Sequence, residues 1–520
     1  MFPEPDYHQH EEFRNRSLKL AEIRQLGIDP YPAKYTPSIA IEALLNKYKD
    51  KEIGHSEEAA NGSTETVSVA GRLILFRAMG KNAFAHVQDG SSRIQIMFNR
   101  DLTKVAGLNG KEEELPPLKF IEKKIDLGDI LGIEGNVFRT QKGEITIFAK
   151  QVTLLCKTLL PLPDKHSGLA DAGVRHRKRW LDLISNTDVF QRFQLRSRIL
   201  HKIRDYFARH GFLEVETPIL HHIYGGAEAR PFIAHLNALD QDMYLRIALE
   251  LSLKKLVVGG MERVFEIGKI FRNEGIDRTH NPEFTMLEAY AAYWDYNDMM
   301  IFVEKLFEEL ALALYGTTKI RVSETVEIDL KAPWTRLSMK ESLKTYGDLD
   351  IDALSDEEMR EILKKKSTLT PEQIRALSRG LLISHLFQDL VEPHLIQPHH
   401  IIDHPIETTP LCKLHREPKL RLEMLVERFE SFINGNEICN SYSELNDPEL
   451  QRKLLLQQAE KRLKGDEEAH PLDEEFIEAI CQGMPPTAGV GIGIDRLIML
   501  LTNSPTIKEV LFFPLTRPEE

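Results

Sequence analysis

Residues 271–290 read FRNEGIDRTHNPEFTMLEAY, and the interpretation of the whole chain depends on them. Apolar residues alternate on both sides of the central GIDRTHNP, as they do in strands. Gly275 and the Asn281-Pro282 pair between those segments are turn signals. The stretch therefore predicts an antiparallel hairpin with a long, strongly charged loop.

Side chains of equal parity share one face of a strand. If the faces of the two strands coincide, one platform carries a guanidinium, an aromatic ring and two carboxylates. An aromatic ring can stack on a base, and an arginine can hold phosphate oxygens with two parallel hydrogen bonds. The alternative is an exposed hairpin with solvated charges. The residues of these two faces are Ile270, Arg272 and Glu274, and Phe284, Met286, Glu288 and Tyr290.

A second hairpin is predicted over residues 428–447, RFESFINGNEICNSYSELND. Its Asn-Gly pair is typical of a type I′ turn. A regular register from that turn places Glu430 opposite Cys439, with Glu437 on the same face and diagonal to Glu430. Two converging carboxylates repel each other unless a cation holds them, and Mg²⁺ shared with substrate phosphates suits such a pair. The alternative is one solvated face of a sheet.

The same regular hairpin places Asn440, Tyr442 and Glu444 on the opposite face from Glu430. If these three side chains serve the same site, a β-bulge must intervene. The sequence leaves both arrangements open.

Near the end of the chain, residues 489–501 read GVGIGIDRLIMLL. The preceding residues do not form a strand, so the glycines do not match a dinucleotide-binding fingerprint. The pattern instead predicts a glycine-rich strand that leads into a helix, with Arg496 near the helix start. Glycines permit the close approach of a ligand, and an arginine there can bind a phosphate.

Outward from these motifs, residues 66–156 hold about five short strand-like runs separated by turn signals. So many strands in so short a segment predict a small barrel. The OB-fold is the leading candidate, because it commonly binds single-stranded nucleic acid.

The rest of the chain mixes strands and helices without a regular βαβ alternation, which favours an α+β fold. A helix over 188–209, ended by Gly211, precedes the strand FLEVETPIL, which Pro218 interrupts. Capping boxes beginning at Ser355 and Thr370 predict helices in an insertion. The predicted organisation is an N-terminal helix and polar loop (1–65), an OB-fold domain (66–158), a proline-containing linker (159–175) and a larger domain (176–520) with a helical insertion near 355–391.

Composition places the chain among ordinary globular proteins. A net charge of −13 argues mildly against a protein that resides permanently on nucleic acid, but it permits transient RNA binding through a local basic face. We expect no secretory signal and no membrane span, since no apolar run approaches about 20 residues. The four cysteines lack CxxC spacing, and we attribute the lone Cys412/His415 CxxH to chance. The cytoplasm is the expected location.

Taken together, the motifs resemble the three signatures of class II aminoacyl-tRNA synthetases. The helix with FLEVETPIL is similar to motif 1, FRNEGIDRTHNPEF to motif 2 and GIGIDR to motif 3. The signatures of class I enzymes are absent. An N-terminal OB-fold points to the subgroup of lysine, aspartate and asparagine enzymes. The resemblance to the lysine-specific family extends over nearly the whole chain, with GGAEARPF and EICNSYSELND among the similar stretches.

The resemblance implies a role for individual residues. Arg272 would hold the α-phosphate of ATP, and Arg496 would lie near the γ-phosphate; these two are the expected catalytic residues. Glu274 would read adenine and Phe284 would stack on it, with His280 and Asn281 also at the nucleotide. Glu430 and Glu437 would bind Mg²⁺. The lysine pocket would comprise Gly226, Glu250, Glu288, Tyr290, Asn440, Tyr442 and Glu444. In the OB-fold, Arg77, Phe84, Gln95 and Glu144 would read a U-rich anticodon.

Two of these carboxylates favour lysine over the related substrates. An ammonium has three donors and no acceptor, which suits Glu250 and Glu444, and these carboxylates would repel aspartate. The implied reaction forms lysyl-adenylate from lysine and ATP and then transfers lysine to the 3′ end of tRNA(Lys). Little acid–base chemistry is needed, because positioning, Mg²⁺ and the arginines stabilise the developing charge. The motif 1 resemblance further implies a homodimer.

The sequence departs from common bacterial versions at a few positions. Arg278 precedes by one place the arginine that sometimes contacts the γ-phosphate, so its role stays open. Leu249 replaces a frequent proline, and Cys439 a frequent glycine. Three other functions are alternatives: a paralogue that lysylates a protein, an aspartate or asparagine enzyme, and a non-catalytic RNA-binding protein. The predicted OB-fold argues against the protein-lysylating paralogue, and Glu250 with Glu444 argues against an aspartate or asparagine enzyme. The intact charged residues of the expected nucleotide and metal sites argue against a non-catalytic protein.

Overall fold

The computed structural model describes residues 4–108, 110, 115–163, 169, 171–466 and 468–517. The chain divides into two compact units, Met1–Ala170 and Asp171–Glu520. Within the described ranges, none of the helices is both long enough and apolar enough to cross a membrane.

The first unit is built around a closed barrel. Its sheet order is β3-β2-β1-β5-β6, and a further pairing of β3 with β6 closes the five strands into a ring. This closed five-stranded ring confirms the predicted small barrel. The elements of this unit are α1 (Glu11–Gln25), α2 (Ile41–Tyr48), α3 (Ser56–Ala60), β1 (Thr66–Met79), β2 (Asn82–Gln88), β3 (Arg93–Asn99), β4 (Lys104–Val105), α4 (Pro117–Lys124), β5 (Ile130–Arg139) and β6 (Ile145–Cys156).

The segment predicted as a polar loop before the barrel contains regular structure. Helix α2 packs Ile41 and Leu44 into the barrel core, and the short helix α3 lies within the supposed loop. Ala59 of α3 packs against Phe138 and Phe148 on the barrel surface. The composition of this segment is polar because only one side of each short helix is buried, so the apolar pattern is too brief to recognise.

The predicted linker falls only partly on the described chain, since residues 164–168 and 170 of the 159–175 range lie outside it. Its last part begins a helix, α5 (Ala172–Arg177). The Asp171 side chain caps this helix by accepting hydrogen bonds from the backbone N–H groups of Gly173 at 2.6 Å and Val174 at 3.1 Å.

An eight-stranded sheet organises the second unit, with the order β15-β16-β17-β18-β19-β12-β11-β7. Only the pairs β11–β7 and β15–β16 are parallel, which confirms the predicted mixed, mainly antiparallel α+β architecture. Two smaller sheets, β8-β10-β9 and β13-β14, complete the strands of the unit. The strands of all three sheets are β7 (Leu213–Glu214), β8 (Leu220–His221), β9 (Ile233–Leu236), β10 (Gln241–Leu245), β11 (Arg263–Phe271), β12 (Glu283–Ala292), β13 (Lys319–Arg321), β14 (Glu327–Asp329), β15 (Thr335–Ser338), β16 (His399–Pro405), β17 (Leu425–Ile433), β18 (Asn436–Ser443) and β19 (Thr487–Gly493).

Helices α7, α9 and α17 cover one face of this sheet and form the main core with it. The predicted 188–209 helix is α7, which buries Phe193, Ile199 and Ile203. The helices of the unit, after α5, are α6 (Arg179–Ser185), α7 (Thr187–Arg209), α8 (Glu250–Val258), α9 (Tyr296–Tyr315), α10 (Met339–Tyr346), α11 (Asp356–Lys366), α12 (Pro371–Ala376), α13 (Arg379–Leu390), α14 (Pro418–Leu422), α15 (Pro448–Leu463), α16 (Glu474–Cys481) and α17 (Ile494–Leu501).

The insertion near 355–391 forms α11, α12 and α13. Both predicted capping boxes are present, with the Ser355 and Thr370 side chains accepting from the third residue of their helices. The insertion has its own apolar core, to which Phe432 of β17 contributes. It therefore covers one end of the sheet face opposite the main core.

Candidate active site

A cavity of about 390 Å³ lies on the sheet face opposite the main core of the second unit. Its floor is the central strand β19, on which Gly489, Gly491 and Gly493 face the cavity. Gly491 lies between Asn440 of β18 and Glu288 of β12 in the register. Gly491 and Gly493 leave open the space that side chains would fill, whereas the space over Gly489 is occupied by Glu444 and Tyr290. Predicted residues in the wall are Gly226, Glu250, Arg272, Glu274, His280, Asn281, Phe284, Glu288, Tyr290, Glu437, Asn440, Tyr442, Glu444 and Arg496.

One end of the cavity is acidic. Glu250 begins α8 and Glu444 follows β18, and both are almost fully buried. The Tyr442 hydroxyl lies 2.7 and 2.8 Å from the two carboxylate oxygens of Glu250 and donates to that group. Lys254, which is absent from the cavity wall, forms ion pairs with both carboxylates. This internal ammonium therefore lies between the two carboxylates and offsets their mutual repulsion.

Glu444 retains free acceptor capacity towards the cavity. Its Oε1 atom is buried and has no hydrogen-bond partner among the described residues. A buried acceptor without a donor costs about 1–3 kcal/mol, so this atom is positioned for a donor that a ligand supplies. Burial raises the pKa of Glu444 well above its usual range, and Lys254 is the main influence that opposes the rise.

Glu288 lies next to this acidic end. Its Oε1 accepts from the backbone N–H of Leu249 at 2.9 Å, and its Oε2 accepts from the Tyr290 hydroxyl at 3.0 Å. Burial, and then the charge of Glu250, raise the pKa of Glu288 to about 7. The carboxyl group is therefore poised to change its charge when a cation binds beside it.

The other end of the cavity combines cations with an aromatic ring. The Arg272 guanidinium lies 5.3 Å from the centroid of the Phe284 ring, and its Nε donates to the Ile247 carbonyl at 3.3 Å. Asn281 is buried, and its Oδ1 has no partner within the described chain. The predicted platform of an arginine and an aromatic ring is therefore present.

Arg496 is held at this end by two contacts. Its Nη1 donates to the Glu437 carbonyl at 2.9 Å and lies 3.4 Å from Glu437 Oε2. Its Nη2 lies 2.9 Å from His280 Nε2, while His280 Nδ1 lies 2.7 Å from Asp277 Oδ2. Because arginine only donates, His280 carries its proton on Nδ1, donates to Asp277 and accepts from Arg496.

Asp277 anchors this chain of hydrogen bonds. Burial would raise the pKa of Asp277, but hydrogen bonds from the backbone amides of Thr279 and His280 and from the His280 ring outweigh it and hold the pKa at about 2. The carboxylate therefore stays ionised and fixes the ring orientation of His280.

The second hairpin contains the bulge that the sequence left open. Asn434 and Gly435 have φ values of 55° and 69°, as the predicted type I′ turn requires. The expected pairing of Glu430 with Cys439 is wrong, because Glu430 pairs with Asn440 and Ser431 with Cys439.

The register shift leaves Ile438 as the extra residue, and Ile438 and Cys439 both pack into the main core. The bulge thus turns Glu437 and Asn440 towards the same face, together with Tyr442 and Glu444.

Glu430 is absent from the cavity wall, although it pairs with Asn440, which lines the cavity. Its Oε1 accepts from Arg428 Nη2 at 2.5 Å. Arg428, which sequence reasoning missed, also donates to Asn440 Oδ1 at 3.0 Å and to Thr408 Oγ1 at 2.9 Å. Burial, and then the charge of Glu430, raise the pKa of Glu437.

Two residues of the charged loop, Glu274 and Arg278, contribute less to the cavity than the sequence suggests. Glu274 follows the end of β11, so it leaves the strand face on which it was expected, although it still lines the cavity and is exposed. Arg278 is outside the cavity wall, and its Nη2 donates to the Pro505 carbonyl at 3.2 Å.

The residues predicted to read an anticodon share one outer face of the barrel. Arg77 pairs with Phe84 across β1 and β2, and Gln95 is on the adjoining strand β3. Gln95 Nε2 donates to Glu144 Oε2 at 2.9 Å, and His86 Nε2 lies 3.2 Å from Glu144 Oε1. His86 is the member of this cluster that sequence reasoning missed.

Two further residues of the second unit were missed. Lys254 follows Glu250 by four residues on a helix, a spacing that brings side chains together and could have indicated the ion pair. His470 lies in a segment without a recognisable pattern, and it lines the cavity beside the acidic end. Burial lowers the pKa of His470 to about 4, and Lys254 contributes to the shift.

Comparison with known proteins gives a consistent result. The family described as tRNA synthetases class II (D, K and N) matches residues 171–517, and the OB-fold nucleic acid binding domain matches residues 67–155. A lysine–tRNA ligase from Chlamydia caviae is 56% identical, with 99% of this chain and 98% of that protein aligned. Those from Listeria innocua and Thermosipho africanus are 46% and 44% identical over 97% of this chain and 98% and 96% of their own lengths.

The glycines of β19 provide a test of the cavity floor. A Cβ atom at Gly489 would lie 2.1 Å from Glu444 Oε1 and 2.4 Å from the Tyr290 ring, whereas one at Gly491 would approach nothing closer than 3.8 Å. We expect Gly489→Ala to lower the free energy of unfolding by about 1–3 kcal/mol, because buried groups must shift. Gly491→Ala, on the same strand, is the matched control and should be nearly neutral. Equal effects in denaturant unfolding would mean that the floor is not packed as described.

Proposed function

The chain belongs to the lysine–tRNA ligases of the class II aminoacyl-tRNA synthetases, and from that premise we propose that the cavity in the second unit is where lysine and ATP react. The activity of the family is the ATP-dependent activation of L-lysine and its transfer to tRNA. Assignment of the individual residues is our proposal, and one observation carries it. The unpartnered Glu444 Oε1 lies in a cavity wall with Glu250, where it can accept from an ammonium.

We place the substrate ε-ammonium between Glu250 and Glu444. Glu288, Tyr290 and Asn440 lie between this end and the nucleotide end, in the part of the cavity that the rest of the amino acid would occupy. Gly226 has a φ of +86°, and a Cβ there would lie 2.9 Å from Ala248 and 3.0 Å from Glu250 Cβ. Glycine at this position therefore lets the loop close over the pocket.

The nucleotide would lie at the opposite end. Adenine would stack on Phe284, with Glu274 at its edge and Asn281 Oδ1 as a further acceptor. Arg272 is adjacent to Phe284, so it can reach an α-phosphate whose adenine stacks there. Arg496 and His280 would exchange their mutual contact for contacts with the outer phosphates.

The reaction then requires mainly positioning. The lysine carboxylate attacks the α-phosphate, pyrophosphate leaves, and Arg272 stabilises the charge on the phosphate oxygens. In the second step a ribose hydroxyl of the tRNA 3′ end attacks the lysyl carbonyl and AMP leaves. No side chain needs to form a covalent bond with either substrate.

Glu430 and Glu437 are proposed to hold Mg²⁺. They fit the ion, because both supply carboxylate oxygens on the same sheet face. The negative charge of Glu430 also acts unfavourably on the ionised form of Glu437, and a cation between them would offset that repulsion. When bound there, the ion would neutralise phosphate charge. Arg428 fixes one oxygen of Glu430 and leaves the other free.

The barrel face is proposed as the anticodon site. Phe84 is half-buried, Arg77 lies opposite it on β1, and Gln95, which donates to Glu144, is on the neighbouring strand β3. An aromatic face beside amide and carboxylate groups suits an unstacked base. We further propose that the enzyme acts in the cytoplasm.

A homodimer is also proposed. Five apolar residues around motif 1 and the small sheet of β8, β10 and β9 are between 42% and 64% exposed. These five residues are Leu213, Ile219, Leu220, Ile223 and Ile233. Exposed apolar side chains that lie together on a surface are typical of a protein interface. Sedimentation at micromolar concentration should give a dimer, and a monomer alone would contradict the proposal.

The metal proposal predicts the behaviour of Glu437→Gln. Losing one of two carboxylate ligands should weaken Mg²⁺ binding, so lysine-dependent ATP–pyrophosphate exchange should need more Mg²⁺ for the same rate. Excess Mg²⁺ should restore part of the activity, since Glu430 remains. Direct titration with Mn²⁺, followed by electron paramagnetic resonance, reads the affinity without turnover. Unchanged Mg²⁺ dependence and Mn²⁺ affinity would exclude Glu437 as a ligand.

The anticodon proposal predicts that Phe84→Ala separates the two half-reactions. Stacking contributes about 1–3 kcal/mol per base, so tRNA charging should fall about fivefold to a hundredfold at limiting tRNA. Pyrophosphate exchange, which needs no tRNA, should be unchanged. Equal losses in both assays would indicate that Phe84 only supports the barrel.

A further inference from the structure

Lys254 contacts the acidic end of the cavity from behind. Its side chain is fully buried, and the residue is absent from the cavity wall. The ammonium lies between Glu250 and Glu444, 5.5 Å from the centroid of the Tyr442 ring and 5.9 Å from that of Phe476. Two aromatic rings and two carboxylates thus enclose one cation.

The charges at this end can be counted. When both carboxylates are ionised, Glu250 and Glu444 contribute two negative charges, and Lys254 contributes one positive charge. The remainder is one negative charge, which matches one substrate ammonium. We propose that Lys254 is a positioning residue that holds the two carboxylates in place and weakens their hold on a proton, so that the pocket takes up one ammonium in preference to protons.

This inference rests on the proposed function, since it concerns the same pocket. Its physical basis is that two carboxylates buried side by side cannot both ionise without a cation. The carboxylates, in turn, raise the pKa of Lys254 despite its burial, so the ammonium stays charged. Lys254 approaches Glu444 through Oε2 and leaves Oε1 free for the substrate.

Removal of the internal ammonium changes what the substrate must displace. In Lys254→Met, the two carboxylates would share one proton at neutral pH and titrate as a pair. Lysine would have to expel that proton, so protons would compete with lysine. Below the pKa of the pair, the lysine KM should then rise about tenfold for each unit by which the pH falls.

The neighbouring titratable groups are present in both proteins, so they do not by themselves give Lys254→Met a steeper pH dependence of the lysine KM than the native enzyme. Glu288 has a pKa of about 7, but it titrates in both proteins. Burial raises the pKa of Tyr290 and Tyr442, and burial lowers that of His470 to about 4, so all three stay neutral near pH 7. The native enzyme therefore supplies the background pH dependence, against which the additional slope of Lys254→Met is read.

The experiment measures pyrophosphate exchange at varied lysine between about pH 6.5 and pH 8.5. The full-length chain, Lys254→Met and the control Lys255→Met are compared. Lys255 is the next residue on α8 and pairs with Glu475 on the surface at 2.6 Å. We expect Lys254→Met to show a KM for lysine that rises steeply at lower pH, with the KM for ATP unchanged. Lys255→Met should behave like the native enzyme.

A second variant tests the proposal even if Lys254→Met folds poorly. Lys254→Met combined with Glu444→Gln removes one positive and one negative charge, so the net charge of the pocket returns to that of the native enzyme. The double variant should fold at least as well as the single one in thermal melts. Its lysine KM should lose the steep pH dependence even if its affinity is lower.

The results that would contradict the role of Lys254 differ from those that would contradict the proposed function of the pocket. If Lys254→Met follows the native pH profile, or if the double variant keeps the slope, Lys254 is only a packing residue and the inference is wrong. If the native enzyme itself showed no lysine-dependent exchange, the assignment of the pocket would fail instead.

Discussion

The second unit depends on one electrostatic constraint, the burial of Glu250 and Glu444 side by side. Buried carboxylates need a counter-ion, and breaking a buried ion pair is costly because it leaves a charge uncompensated. Lys254 supplies one cation from within the protein, and in the proposed pocket the substrate would supply the second. On this proposal, selectivity for lysine follows from the charge that Lys254 leaves over, as well as from the presence of the two carboxylates.

The β-bulge at Ile438 brings this acidic end and the proposed metal pair onto one surface. Without the extra residue, Glu437 and Asn440 would point to opposite faces of β18. Beneath the bulge, Cys439 donates to Ser431 Oγ at 2.9 Å, and His400 Nδ1 lies 2.8 Å from the same hydroxyl. This buried network fixes the register on the core side, while Gly491 and Gly493 of β19 keep the other side open.

Much of this arrangement was predictable from sequence where it depends on local rules. Parity placed Phe284, Glu288 and Tyr290 on one face, and the Asn434-Gly435 pair fixed the turn. The bulge was not predictable, because Ile438 in an apolar strand has the same pattern with or without it. The spacing of Lys254 from Glu250 was visible, but its contact with Glu444 was not, because Glu444 is distant in sequence. The helices before the barrel were missed because they are too short to show a period. The residue roles followed from family resemblance and stay predictions.

The most direct measurement is the lysine dependence of pyrophosphate exchange for Glu250→Gln, with the surface change Glu475→Gln as control. The amide keeps the shape of the side chain and removes one charge, so Lys254 and the substrate ammonium would face a single carboxylate. The account predicts a fall in kcat/KM for lysine of more than about a hundredfold, from a cost of about 3–5 kcal/mol, with little change in the KM for ATP. Because Lys254 loses one of its two partners, thermal stability should also fall. A variant that kept the native kcat and KM for lysine would contradict the account, since Glu250 would then lie outside the substrate site.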